Sequence, residues 1–216
     1  MNQIRAFIFV GILLLGLSHP SHAGIIGPYS GQVIDSQTGE PVEGASVLFY
    51  WVKATPHPMG SYDETIGARH IYTDGKGRYT IPTFFANLGL MSFLDSTNII
   101  IYQPGYQAYI IKLHPSNPLN PFSDMEGGDD ATFKGKNNIV KLNRNPPNFN
   151  HKEHLDRIEH ALWGIDDYSP GDPTATKAGI TWEEALKLNL KAIPEKEEFL
   201  RRLEWETRRS ASEDRW

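Results

Sequence analysis

The residues that could carry chemistry begin with three histidines near the start of the last third of the chain, His151, His154 and His160. On a helix, positions i and i+3 share a face, so His151 and His154 could grip one metal ion through neutral imidazoles. His160 lies six residues beyond His154, round the far side, and cannot complete that site. Solvated helix histidines are the plainer reading. A second group is the acidic, Gly-rich run Ser123-Asp-Met-Glu-Gly-Gly-Asp-Asp130. Calcium favours clustered carboxylates on a flexible loop, but the D-x-[DN]-x-[DN]-G spacing is absent, so a solvated loop is favoured. A third is aromatic. Trp51 and Tyr62, with His57 and His70 on the same stretch, could line a binding surface whose ring faces stack on sugars. In alternating strands, though, about half of the aromatic residues must be core. Neither G-x-S-x-G nor G-x-x-x-x-G-K-[ST] occurs.

Composition narrows the classes. The chain has 216 residues, 39% of them apolar and 22% charged, enough to build a core. Its net charge of −5 argues against a nucleic-acid binder, which would carry a basic stripe. It has no Cys, which removes disulfides, thiolate-held zinc, iron–sulfur clusters and a thiol nucleophile.

Residues 1–23 read as a secretory signal. Arg5 precedes the 12-residue apolar run Ala6–Leu17, and Ser21-His22-Ala23 sets small residues at −3 and −1 of a cleavage site after Ala23. The run is short for a membrane span, which needs about 20 residues. No later stretch is apolar enough to span, so the expected product is periplasmic or secreted. Export without Cys leans towards a Gram-negative envelope.

The elements that must position these residues fall into two zones. Residues 24–142 are rich in Gly, Pro, Tyr, Ile and Val and read as about seven strands: Ser30–Asp35, Ala45–Val52, Ile71–Thr73, Arg78–Ile81, Asn98–Tyr102, Ala108–Leu113 and Asn138–Leu142. Asn98-Ile-Ile-Ile-Tyr102 is a strand of buried type. The polar, Pro-containing stretch 143–150 reads as a linker. Residues 151–216 read as a helical extension. Leu155, Ile158 and Leu162 form one stripe over His151–Leu162. Thr181-Trp-Glu-Glu184 is a capping-box pattern opening a helix to about Ala192. Pro194 opens another, with Phe199 and Leu203 on its apolar side. These stripes pack on the sandwich or dock a partner.

The run Ser30-Gly-Gln-Val-Ile-Asp-Ser-Gln-Thr-Gly-Glu-Pro-Val-Glu-Gly-Ala-Ser-Val47 resembles the opening of the carboxypeptidase regulatory-like domain family, G-x-V-x-D-x-x-T-G-x-P-x-x-G-A-x-V. Thr73-Asp-Gly-Lys-Gly-Arg-Tyr-Thr-Ile-Pro82 matches the family's T-D-x-x-G-x-[FY]-x-[IL]-P, and Gly105-Tyr106 its Gly-Tyr after a strand. The likeness covers roughly residues 28–113. It implies a seven-stranded antiparallel transthyretin/prealbumin-like β-sandwich, usually an accessory or interaction module. The motif residues Gly31, Asp35, Gly39, Pro41, Gly44, Ala45, Asp74, Gly77, Tyr79, Pro82, Gly105 and Tyr106 read as scaffold. The Lys53–His70 and Phe84–Ser96 stretches depart from the family and are expected to be long surface loops. No His starts an H-x-x-E, so the zinc site of a metallocarboxypeptidase is not encoded. Nor is the C-terminal Tyr-Arg-Gly-Ser of the hydroxyisourate hydrolases present.

The expectation is therefore an exported, non-enzymatic binding or scaffolding module of the bacterial cell envelope, without cofactor, contacting a protein partner. A carbohydrate-binding module and a small metal-binding protein or hydrolase are the alternatives.

Overall fold

A computed structural model describes residues 23–89, 91–115, 125–127, 133, 135–163, 194–203 and 208. The chain is mainly β, with ten strands and two helices among the described residues. The strands are β1 (Ala23–Ile26), β2 (Tyr29–Asp35), β3 (Ser46–His57), β4 (Gly60–Tyr72), β5 (Arg78–Ile81), β6 (Phe84–Asn87), β7 (Phe93–Tyr102), β8 (Tyr109–Pro115), β9 (Met125–Gly127) and β10 (Asn138–Leu142). The helices are α1 (His151–Trp163) and α2 (Pro194–Arg202). The expected helix at 181–192 lies outside the described residues, as does most of the acidic 123–130 run.

A three-stranded sheet, β10-β2-β5, faces a five-stranded one, β4-β3-β7-β8-β9, and β1 pairs with β6 as a small third sheet. Val33, Tyr79, Ile81, Val140 and Leu142 from the first meet Val47, Phe49, Ile99, Ile101 and Leu113 from the second in one buried cluster. Alternation along β3 sends Val47, Phe49 and Trp51 into this cluster and Leu48, Tyr50 and Val52 to the opposite face. That outer face is covered by the helices, through Ile158 and Leu162 of α1, Phe199 of α2 and Leu203 just after it. This explains the apolar runs 47–52 in β3 and 99–102 in β7: both segments are buried on both faces. The apolar stripes of α1 and α2 are therefore spent on the chain's own sheet. Helices of 13 and 9 residues are marginal alone. Burying a large apolar side chain contributes about 1.5–3 kcal/mol, so packing, not propensity, holds them.

Three expectations are corrected. The Lys53–His70 stretch is not a loop: β3 runs on to His57, and β4 returns antiparallel from Gly60, with Pro56 opposite Ser61 near the tip where lost pairing costs little. Phe84–Ser96 likewise holds β6 and the start of β7. The sandwich is not wholly antiparallel, because β10 lies parallel to β2 from Asn138↔Gly31 to Leu142↔Asp35. β10 returns from far along the chain, and no hairpin turn dictates its direction.

The family-like motif residues sit at the joints. Asp35 Oδ1 accepts the N–H groups of Gln37 and Thr38 at 2.8 and 3.0 Å, closing the turn that carries Gly39. Pro41 bridges back to Ile34. Gly44 precedes the fully buried Ala45, whose N–H is held by Thr73 Oγ1 at 2.8 Å. Asp74 Oδ1 accepts from Lys76 and Arg78, and Gly77 in that turn has φ +67°. A Cβ on Gly77 would lie 2.4 Å from the Val33 carbonyl, so only glycine fits. Gly31 leaves room for the buried Tyr79, and Pro82 follows the end of β5.

Candidate functional site

The most sharply built polar cluster joins two of those motifs to the linker. Asp35 is 2% exposed, yet its Oδ2 receives Arg144 Nε at 2.5 Å and the Tyr106 hydroxyl at 3.0 Å. The Arg144 guanidinium holds the Asp35 carboxyl well below the usual carboxylate range, helped by the Thr38 and Gln37 amides. Burial raises the Tyr106 phenol, with Asp35 adding to the shift. The backbone follows: Gln107 N–H donates to Asn143 O at 2.8 Å, and Asn145 N–H to Gly105 O at 2.9 Å. The expected linker is thus pinned beside the turn after β7.

Pinning the linker shapes a cleft of about 320 Å³ between that turn, residues 146–150 and the first turns of α1. Its walls are Gln107, Pro146, Asn148, Phe149, Asn150, Glu153, His154 and Arg157. Asn150 caps α1, accepting the Glu153 N–H through Oδ1 at 3.0 Å and donating from Nδ2 to Glu153 Oε2 at 3.4 Å. His154 is 4% exposed. Its Nε2 accepts the Ala108 N–H at 2.8 Å, which makes Nδ1 the protonated nitrogen. Phe149 stacks edge-on against both His154 and His151, with ring centroids 4.8 and 5.0 Å apart. Arg157 Nη2 donates to the Ala108 carbonyl at 3.3 Å. Both polar backbone groups of Ala108 are therefore bonded to α1, and that contact sets the helix on the sheet edge.

The residues expected to bind are not brought together. Trp51 is fully buried and stacks on Phe84 with centroids 4.4 Å apart and planes 2° from parallel, so it offers no face to a glycan. His57 lies at the exposed hairpin tip, its Nδ1 accepting the Met59 N–H at 3.2 Å. Tyr62, 65% exposed, stands on the same hairpin. His70 is at the other end of β4, bonded to Ser46 Oγ at 2.6 Å and edge-on to Tyr72 and Phe199. Burial lowers its pKa, against a weaker opposing pull from Glu198. His151 and His154 do share a helix face, but the lone pair of His154 Nε2 is already used by Ala108. Among the described residues no group of three His, Asp or Glu converges as metal ligands would.

The cleft residues Gln107, Phe149, Asn150 and Arg157 were not singled out by sequence. Glu153 and Arg157, four apart on a helix beginning just after an Asn-Phe-Asn segment, were the available signal. Nothing in the sequence brings Gln107 to them.

No family model matches the chain, and no curated protein matches it. Solved structures do. Catechol 1,2-dioxygenase from Acinetobacter radioresistens is 16% identical with a TM-score of 0.36, over 60% of this chain and 55% of that one. Catechol 1,2-dioxygenase from Pseudomonas arvilla C-1 is 14% identical with a TM-score of 0.33, over 62% and 56%. The 3-chlorocatechol 1,2-dioxygenase from Rhodococcus opacus 1CP is 14% identical with a TM-score of 0.32, over 59% and 62%. The chain spans between half and two thirds of the length of these structures. They are enzymes, and the expectation of a non-enzymatic binding or scaffolding module is corrected on that finding. At such identity and TM-score they assign no reaction, substrate or cofactor to this chain.

Proposed function

We propose that this chain recognises a small polar molecule in the cleft between the pinned 143–150 segment and α1. One observation carries the reading: a cleft of about 320 Å³ in which amides (Gln107, Asn148, Asn150), opposite charges (Glu153, Arg157) and one aromatic wall (Phe149) converge. Small-molecule sites have this size and combine an apolar wall with a few placed polar groups. Another cavity, under Tyr50 and Ile100, is about a quarter of that size, at about 80 Å³.

Ligand-observed NMR tests it. The purified exported chain, screened against a set of small anions, cations, zwitterions and polyols, is expected to give hits that Glu153→Gln abolishes without changing the melting curve, and that Arg157→Gln, which also loses the Ala108 contact, abolishes while still melting cooperatively. Hits insensitive to both variants, or none, would overturn it.

The family resemblance and export remain part of the proposal. Supporting the first are the Asp35 and Asp74 turns, which use motif carboxylates as local acceptors. For the second, the support is the Arg5, Ala6–Leu17 and Ser21-His22-Ala23 pattern. Cleavage after Ala23 would leave Gly24 on β1, opposite Ala86. N-terminal sequencing of the envelope-recovered protein is expected to begin Gly-Ile-Ile; recovery of Met1 would sink the cleavage.

A further inference from the structure

Resting on that cleft, we infer that its ligand is a zwitterion of the amino-acid or short-peptide kind, its ammonium on Glu153 and its carboxylate on Arg157. Glu153 and Arg157 stand four residues apart on α1, a spacing at which opposite charges ordinarily pair across the helix surface. Here they do not pair. The Glu153 carboxylate turns to Asn150 Nδ2 at 3.4 Å, and the Arg157 guanidinium to the Ala108 carbonyl at 3.3 Å. Among the described residues no ion pair joins them.

Each keeps capacity to spare. A carboxylate has about four acceptor sites and a guanidinium five N–H donors, and one weak contact uses little of either. Opposite charges are thus held open at the same cleft, about 6 Å apart along the helix axis. A lone anion on Arg157 would meet repulsion from Glu153, and a lone cation on Glu153 would meet Arg157. A small molecule carrying both charges satisfies both walls. Consecutive Cα atoms are about 3.8 Å apart, so a free amino acid or a dipeptide spans the range the two side chains can reach. Gln107, Asn148 and Asn150 offer amide donors and acceptors to a peptide group, and Phe149 offers its ring to an apolar side chain.

Calorimetry on the purified exported chain separates this inference from the reading beneath it. The probes are phenylalanine and Ala-Ala, each with its N-acetylated and its C-amidated form. The zwitterions are expected to bind roughly tenfold more tightly than either blocked form, since losing one charge-assisted contact removes about that factor. Glu153→Gln should erase the advantage over the N-acetylated form, and Arg157→Gln the advantage over the amidated form. If Arg157→Gln fails to fold, Arg157→Met, which keeps the aliphatic stem, should erase the same advantage, whereas Arg157→Lys, which retains the charge, should keep most of it. Equal binding of blocked and free forms would overturn the zwitterion and leave the cleft standing. Binding of simple anions or polyols from the NMR set, with none of these six probes bound, would do the same. No binding of any probe in either experiment would remove both.

Discussion

Asp35 shows how a single side chain can hold three distant parts of the chain. Its two oxygens tie its own turn, the Gly105-Tyr106 corner and Arg144 of the linker. Only the ionised form can accept all of these bonds. Because the folded carboxyl titrates far below its unfolded value, its stabilisation is present above the unfolded pKa, near 4, and lost as pH falls through the folded one. Asp35→Asn is therefore expected to lower the melting temperature clearly at pH 7, with the gap to wild type narrowing towards pH 2. A gap of constant size across that range would mean that the charge contributes nothing. At the same scale, a Cβ on Gly67 would lie 2.6 Å from the Phe84 ring that stacks on Trp51. Gly67→Ala is expected to cost about 1–3 kcal/mol, the usual penalty of overpacking a core, in a denaturant melt. An unchanged midpoint would show that Phe84 can slide.

The elements meet at Lys196. This side chain is 3% exposed, donates to the Leu162 carbonyl at the end of α1 at 2.7 Å, and lies 4.0 Å over the Tyr50 ring. A cation at a helix C-terminus over an aromatic face is electrostatically favoured. Burial works the other way and pushes the ammonium down to about 8, so it remains charged at neutral pH. Between that value and the ordinary lysine pKa near 10.4, the unfolded chain binds more protons than the folded one. Stability should therefore rise with pH across this window. Wild type is expected to gain melting temperature relative to Lys196→Met between pH 7 and 9.5. A parallel pair of curves would show that the lysine does not feel its burial. The hydroxyl of Tyr50 also donates to the Ala161 carbonyl, so strand β3 caps the same helix end from below.

For the molecule as a whole, α1 and α2 form a third layer. Without it Leu48, Tyr50, Val52, Ile100 and Tyr102, all buried under the helices, would face water. An exposed apolar sheet face of that kind is an aggregation liability. Deleting residues 150–216 is expected to give a chain that binds a hydrophobic dye strongly and elutes as aggregate. A well-behaved monomer with the wild-type melting temperature would show that the tail is dispensable. The same deletion removes half of the cleft's lining residues, so loss of ligand binding in it would not locate the site; the point variants do.

Much of this was legible in the sequence, for local reasons. The β-rich class, the turn carboxylates Asp35 and Asp74, the stripe Leu155-Ile158-Leu162 and the pair Phe199 and Leu203 depend on period, turn chemistry and near neighbours. The two-sided burial of β7 was visible in the apolar run Asn98–Tyr102, though not what covers it, and that of β3 was not read. Other features were decided only by the tertiary structure. The β3–β4 hairpin was hidden because Pro56, Pro58 and Gly60 mark a turn without revealing how far its strands extend. The parallel β10, the burial of Trp51, and the meeting of Gln107 with Phe149 and Arg157 depend on contacts between residues far apart in the chain. Such contacts leave no period or spacing to read. They exist only after the core has closed and Asp35 has drawn Arg144 and Tyr106 to one point.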